Sequence, residues 1–234
     1  MKIRNIAFIA SCFYSQLLLA SELFGPHESK IIFDGGRQSV NYSIDNTGKT
    51  PWLVQAWVEN TEEKRTDKFI SVPTLFRVEP SSQFSVRVSK NGDLPEDKET
   101  IFWLVSNSLP GGEKGEDKEL KGDEINAKLN LAFRFKVPMI YRPASLKSVK
   151  QQPDALQWSQ RNNDELIVHN PTKHVIHLNY IIVNGQRKQG EGISLMVAPD
   201  QSVKVNTNAN KGSQIKFGVI NDYGAIKEYM GVIK

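Results

Sequence analysis

Apolar and polar residues alternate along most of this chain in short runs, and almost nowhere do they recur at the helical interval. A period of two puts every second side chain on one face of a strand. Alternating runs at 39–45, 52–60, 75–80, 84–90 and 100–107 predict strands in the first half of the chain. Runs at 155–160, 165–170, 174–185, 202–207, 213–222 and 227–234 predict them in the second. Asn, Gly and Pro separate the runs, and a spacing of roughly ten residues is that of antiparallel sandwiches. The pattern predicts an all-β protein: two immunoglobulin-like β-sandwich domains at an angle, each of roughly seven strands.

The strongest alternation is INAKLNLAFRFKVPMIYRP, 125–143. Leu129, Leu131, Phe133, Phe135 and Val137 fall on one face, with Asn130, Ala132, Arg134 and Lys136 on the other. A strand this long, apolar on one face and cationic on the other, is an aggregation hazard at an exposed sheet edge. It is also what a protein needs if its task is to lend a strand to another protein. After Arg142 the chain becomes polar (ASLKSVKQQPDA) for a stretch too short to be a free linker. The expected domains are 22–142 and 143–234, joined by a fixed hinge.

Residues 1–21 read as a secretory signal peptide: a basic start, MKIR, then a mostly apolar run to Ala20 and small residues for cleavage after Ala20 or Ser21. The apolar run is shorter than the ~20 residues a membrane span needs, and no other segment could cross. The mature protein is therefore expected to be exported, without a membrane span. Cys12, the single cysteine, leaves with the leader, so the exported protein holds no disulfide and relies on its cores. Lys2 and Arg4 leave too, lowering the formal charge of +4 by two. No basic block with interleaved aromatics exists, which argues against nucleic acid as a partner.

The segment 111–124, GGEKGEDKELKGDE, is rich in glycine and charge and reads as a solvated loop. Its acidic residues lack the alternate-ligand spacing of a calcium loop. His174 and His177 stand an odd number apart, so on one strand they face opposite ways and close no metal site. His169 belongs to the same run, HNPTKHVIH (169–177), His27 stands apart, and Asp154, Asp164 and Glu165 read as solvated carboxylates. No nucleophile-elbow pattern occurs, and Gly35–Gly36 lacks the residues of a phosphate loop. The chain reads as a binding protein, not an enzyme, with no metal and no cofactor.

SKIIFDGG (29–36), PWLVQAWVEN (51–60), FRVEP (76–80), LPEDKETIFWLVSNSLP (94–110), MIYRPASLK (139–147), HNPT (169–172) and INDYGA (220–225) stand in one order along the chain. Together they resemble the PapD-like periplasmic chaperones of the chaperone–usher pathway. The resemblance implies a chaperone that binds and folds fimbrial (pilus) subunits and delivers them to an outer-membrane usher without ATP. Its subunits are immunoglobulin-like domains lacking a last strand, and the chaperone lends them its own, as in strand addition generally. Leu129, Leu131, Phe133 and Phe135 match the donated strand.

The family also implies a pair of basic residues that anchor the subunit's terminal carboxylate between the domains. Lys30 stands where the family usually has arginine, and Pro138 where it usually has lysine. Lys136 lies one pleat repeat away, roughly 7 Å along the strand. The resemblance thus points to Lys30 as one anchor, strand spacing offers Lys136 as the other, and the resemblance names Glu99, Arg142 and Asp222 as an interdomain ionic cluster. The long loop without cysteine leaves the fibre type open, as it is open whether the free protein caps its strand by self-association. The alternative is an exported adhesive or structural sandwich module, which would have no reason to keep an alternating strand ending in YRP at a domain junction.

Overall fold

The computed structural model describes residues 23–111, 131–161 and 165–234. The leader and Leu129 lie outside the described residues, as does the charged loop apart from Gly111. The first domain comprises β1 (Phe24–Pro26), β2 (Ile31–Asp34), β3 (Ser39–Asn46), β4 (Trp52–Glu59), β5 (Phe69–Val72), β6 (Leu75–Val78), β7 (Ser82–Lys90), β8 (Thr100–Pro110) and β9 (Phe133–Arg142). Two 3-10 turns, Ala144–Leu146 and Pro153–Ala155, lead into the second. That domain holds β10 (Gln157–Arg161), β11 (Glu165–His169), β12 (Ile176–Val183), β13 (Gln186–Gln189), β14 (Met196–Val197), β15 (Ser202–Asn208), β16 (Gln214–Ile220) and β17 (Ile226–Val232).

Each domain is a sandwich. In the first, the sheet β1-β3-β7-β5 faces the sheet β2-β9-β8-β4-β6. In the second, β10-β11-β15 faces β13-β12-β16-β17, with β14 paired to β12. Alternation sets the faces: Val54, Ala56 and Val58 of β4 are buried while Leu53 and Gln55 are exposed. The first core gathers Phe33, Tyr42, Ile44, Val86, Leu104 and Met139. The second is built around Trp158, Leu166, Ile176, Leu178 and Phe217. Asn184 and Gly185 both adopt positive φ, 52° and 75°, as a two-residue hairpin requires, and turn β12 directly into β13.

Three findings differ from the sequence expectation. β2 runs parallel to β9, where only antiparallel pairing was expected. The cause is a strand that changes sheets: β1 pairs with β3 in one sheet, and after a bend the chain enters the other as β2. Second, five short strands (β1, β2, β5, β13 and β14) accompany the expected ones, bringing the described strands to nine and eight. They are too brief, or in QRKQ of β13 too polar, to show alternation. Third, β9 begins at Phe133, so Leu131 precedes it, and β12 begins at Ile176, so His174 precedes the strand that carries His177.

The domains are joined by contacts of several kinds. Ile101, Ile140 and Val175 form a third buried cluster, with Ile32, Trp103 and Met196 packed against it. The Glu99 amide donates to the Lys173 carbonyl at 2.9 Å. Within the first domain, Gly35 donates to the Arg142 carbonyl at 2.7 Å, and a Cβ at Gly35 would come within 2.9 Å of that oxygen. Only glycine allows β2 to close so tightly on the end of β9.

Candidate subunit-binding edge and interdomain cleft

β9 pairs with β8 along almost its whole length, from Phe133 opposite Ser108 to Tyr141 opposite Thr100. On its other side β2 covers only Met139 to Arg142. Among the described residues, no strand pairs with that side from Phe133 to Pro138. Backbone donors and acceptors left unpaired in this way form a template for a further strand.

The apolar stripe along this open edge is graded. Leu131 is 51% exposed and Phe133 37%, Phe135 is half-buried, and Val137, Met139 and Tyr141 are buried. Phe133 lies 5.3 Å from Trp52 and 5.7 Å from Phe135, ring centre to ring centre. Phe24 stacks on Trp52 at 4.2 Å and borders both phenylalanines. The distal end is thus an aromatic shelf with one side open, while the end near the hinge belongs to the core.

The opposite face of β9 is cationic but paired. Arg134 donates to Glu59 Oε1 at 2.8 Å, and Glu59 is itself buried. Lys136 Nζ lies 2.9 Å from Glu63 and 3.5 Å from Glu59, and 5.4 Å from the Trp103 ring centre. These acidic partners depend on cross-strand register and were not foreseen from the sequence.

Between the domains lies a cavity of about 580 Å³, lined among others by Ser29, Trp103, Pro138, His177 and Met196. Lys30, the residue after Ser29, is half-buried just ahead of β2 and donates to the Asn221 carbonyl at 2.7 Å. Burial lowers the Lys30 pKa, and the Arg142 charge adds to this, opposed by Asp222 and Glu99. Pro138, at the position where the resemblance would place lysine, offers the cavity no donor. Sequence reasoning missed His177 as part of this wall; a polar ring inside the apolar run VIHLNYIIV was the available signal.

Glu99, Arg142 and Asp222 are brought together where the two domains meet. Arg142 bonds Glu99 through Nε, and donates from Nη1 and Nη2 to the two Asp222 oxygens at 2.6 and 3.1 Å. Glu99 Oε2 also accepts the Val175 amide at 2.7 Å. Burial opposes the Arg142 charge, but Asp222 and Glu99 outweigh it and raise its pKa. Burial likewise opposes the Asp222 charge, and Arg142 outweighs it, so the Asp222 pKa is lowered. The INDYGA turn presents this aspartate: Asn221 Oδ1 accepts the amides of Tyr223 and Ala225 at 2.9 and 3.0 Å. Asn170 of HNPT does similar work nearby, donating to the carbonyls of His174 and Val197 at 2.7 and 2.9 Å. Among the described residues no group of three or more His, Cys, Asp or Glu side chains is placed to hold a metal.

The chain matches two family models: "Pili and flagellar-assembly chaperone, PapD N-terminal domain" over residues 24–147, and "Pili assembly chaperone PapD, C-terminal domain" over 151–231. It is 32% identical over 233 residues to the probable fimbrial chaperone LpfB of Escherichia coli O157:H7, covering 97% of this chain and 95% of that protein. It is 30% identical over 213 residues to the chaperone protein FocC of Escherichia coli, covering 88% of each. Among solved structures, the Salmonella enterica SafA pilin in complex with the SafB chaperone matches with a TM-score of 0.72 and 26% identity, over 90% of this chain and 96% of that one. The Pseudomonas aeruginosa CupB2 chaperone shares the fold with a TM-score of 0.70 at 24% identity, over 89% of this chain and all of that one. These similarities favour the chaperone reading and give no support to the adhesive-module alternative.

Proposed function

The chain belongs to the PapD family of pili-assembly chaperones, and we propose that it binds and folds fimbrial subunits in the periplasm by donating β9 to them. The observation that carries this reading is the open side of β9 from Phe133 to Pro138, beside a stripe whose distal end is exposed. A subunit lacking a strand gains ladder hydrogen bonds from that edge and apolar contacts from Leu131, Phe133 and Phe135. Leu129 extends the stripe in sequence but lies outside the described residues. The subunit is then handed to an outer-membrane usher.

The cleft receives the subunit's terminal carboxylate. Lys30 supplies the counter-charge, a single ammonium where an arginine would give a two-pronged fork. Lys136 is a second candidate, and reaching the cleft would require it to leave Glu63 and Glu59. The Glu99–Arg142–Asp222 cluster holds the two walls of the cleft in one orientation. Its role is geometric more than energetic, because a buried ion pair barely repays its desolvation.

Co-expression with subunits encoded beside an usher, followed by affinity purification from the periplasm, tests the reading. It expects a one-to-one complex with a subunit. Recovery of the tagged protein without any such subunit would overturn it.

A further inference from the structure

The two residues flanking His174 are both stitched to the first domain by Glu99. The Glu99 amide donates to the Lys173 carbonyl at 2.9 Å, and the Glu99 carboxylate accepts the Val175 amide at 2.7 Å. Val175 also packs with Ile101 and Ile140 in the buried cluster between the domains. His174, held between these two bonds, is 2% exposed. Its ring donates to the backbone of Val149, in the segment that joins the domains, and Nε2 is buried without a hydrogen-bond partner.

We infer that His174 is a proton-operated latch of the interdomain joint: its neutral ring fits the closed joint, and its protonated ring favours a joint whose seam at Glu99 has parted. The charges facing the ring come from three other elements. Glu99 lies just ahead of β8, Arg142 ends β9, and Asp222 lies in the turn between β16 and β17. Lys30, just ahead of β2, acts on Asp222 in turn. On the ring's own segment, Lys173 is exposed and His177 lies three residues further on. Arg142 already engages both carboxylates. Two cations and two anions therefore balance, and an imidazolium adds a surplus charge whose Nε2 hydrogen has no acceptor. A buried charge without a partner is costly, and water at the parted seam relieves that cost.

Burial holds the ring below its ordinary pKa in the closed joint and Arg142 adds to this, opposed by Glu99, Asp222 and the bond to Val149. A hydrated ring in the parted joint returns to the ordinary value, about 6.5. The closed joint is thus fully favoured above about pH 6.5. It loses ground as pH falls toward the closed-state pKa, the ratio of parted to closed forms rising up to about tenfold per pH unit. Asp222 stays ionised across this window, because burial is outweighed by Arg142, which holds its carboxyl below the ordinary range. The latch stands whether or not the protein captures subunits. Capture that needs both domains in one orientation weakens in acid, and that consequence alone rests on the proposed function.

Native-state hydrogen exchange on the whole mature protein tests the latch, read at the Glu99 and Val175 amides in low urea between pH 7.5 and pH 5, with intrinsic exchange rates divided out. His177→Gln serves as the background, since it removes the other histidine of the joint whose pKa is lowered. In that background, protection at both amides should fall below about pH 6.5 by up to about tenfold per unit. Its urea dependence should be shallower than that of the Val88 and Phe217 amides, which lie in strands paired on both sides, because a parting seam exposes less surface than unfolding. Adding His174→Gln, which stays uncharged and keeps a donor for Val149, should abolish the fall. Melting temperatures show which variants fold, and His174→Leu replaces His174→Gln if the latter does not. Protection that is constant with pH in the background, or that still falls after His174→Gln, would overturn the latch. So would seam amides with the urea dependence of the core, because His174 would then meet water only when a domain unfolds.

Discussion

Arg142, the last residue of β9, grips Asp222 of the second domain through two parallel hydrogen bonds of 2.6 and 3.1 Å. The same guanidinium bonds Glu99, whose other oxygen accepts the amide of Val175. One side chain therefore ties β9, the residue leading into β8 and the second domain into a single joint.

Arg142→Ala should leave Glu99 and Asp222 facing each other with their charges uncompensated. Removing one partner of a buried pair costs about 3–5 kcal/mol. The variant is expected at lower periplasmic abundance, with faster proteolysis near residues 143–149. Limited proteolysis with mass spectrometry checks this. An unchanged cleavage map and equal abundance would remove the cluster from the account.

Lys30→Ala should weaken subunit capture at least tenfold while leaving the melting temperature nearly unchanged. Its ammonium bonds only a carbonyl in the free protein, and a hydrogen bond is worth about 1 kcal/mol net. In the complex its loss would leave a carboxylate without a counter-charge. Subunit retrieval at the parent's yield would show that the anchor lies elsewhere.

Stability should fall as pH drops below about 6.5. Burial holds His174 and His177 below that value when folded, so the unfolded chain binds more protons there. Their contribution is fully present above the unfolded pKa and declines below it, until the folded pKa is reached, by up to about 1.4 kcal/mol per pH unit per site. His27, exposed and raised by Asp45, acts in the opposite sense, so the comparison must be between variant and parent. His174→Gln should flatten the decline in urea midpoint between pH 7.5 and pH 5. A variant as pH-sensitive as the parent would contradict this.

What the sequence made legible follows physical range. The long strands were readable because a two-residue period is local, as with Val54, Ala56 and Val58 against Leu53 and Gln55. Arg142 and Asp222, 80 positions apart, were paired only through the family resemblance, since spacing alone says nothing of such a contact. The parallel pairing of β2 with β9 was hidden because it depends on where a bent strand crosses between sheets. Lys136 looked free in the sequence and is held by Glu63, a partner set by the loop after β4. His177 was weighed only against a metal, and its place in the cleft depends on how the second domain meets the first.

The central claim is that β9 is lent to another protein, and the double variant Leu131→Asp with Phe133→Asp tests it most directly. Both side chains are substantially exposed in the free protein, though Phe133 rests one edge on Trp52. In a subunit groove each would bury apolar surface worth roughly 1.5–3 kcal/mol, and a carboxylate there would be driven into an apolar site. Melting temperature and subunit retrieval should be measured on the same preparation. Strand donation predicts loss of retrieval with only a small fall in melting temperature. A large fall in melting temperature, with binding lost only because the protein unfolds, would contradict it.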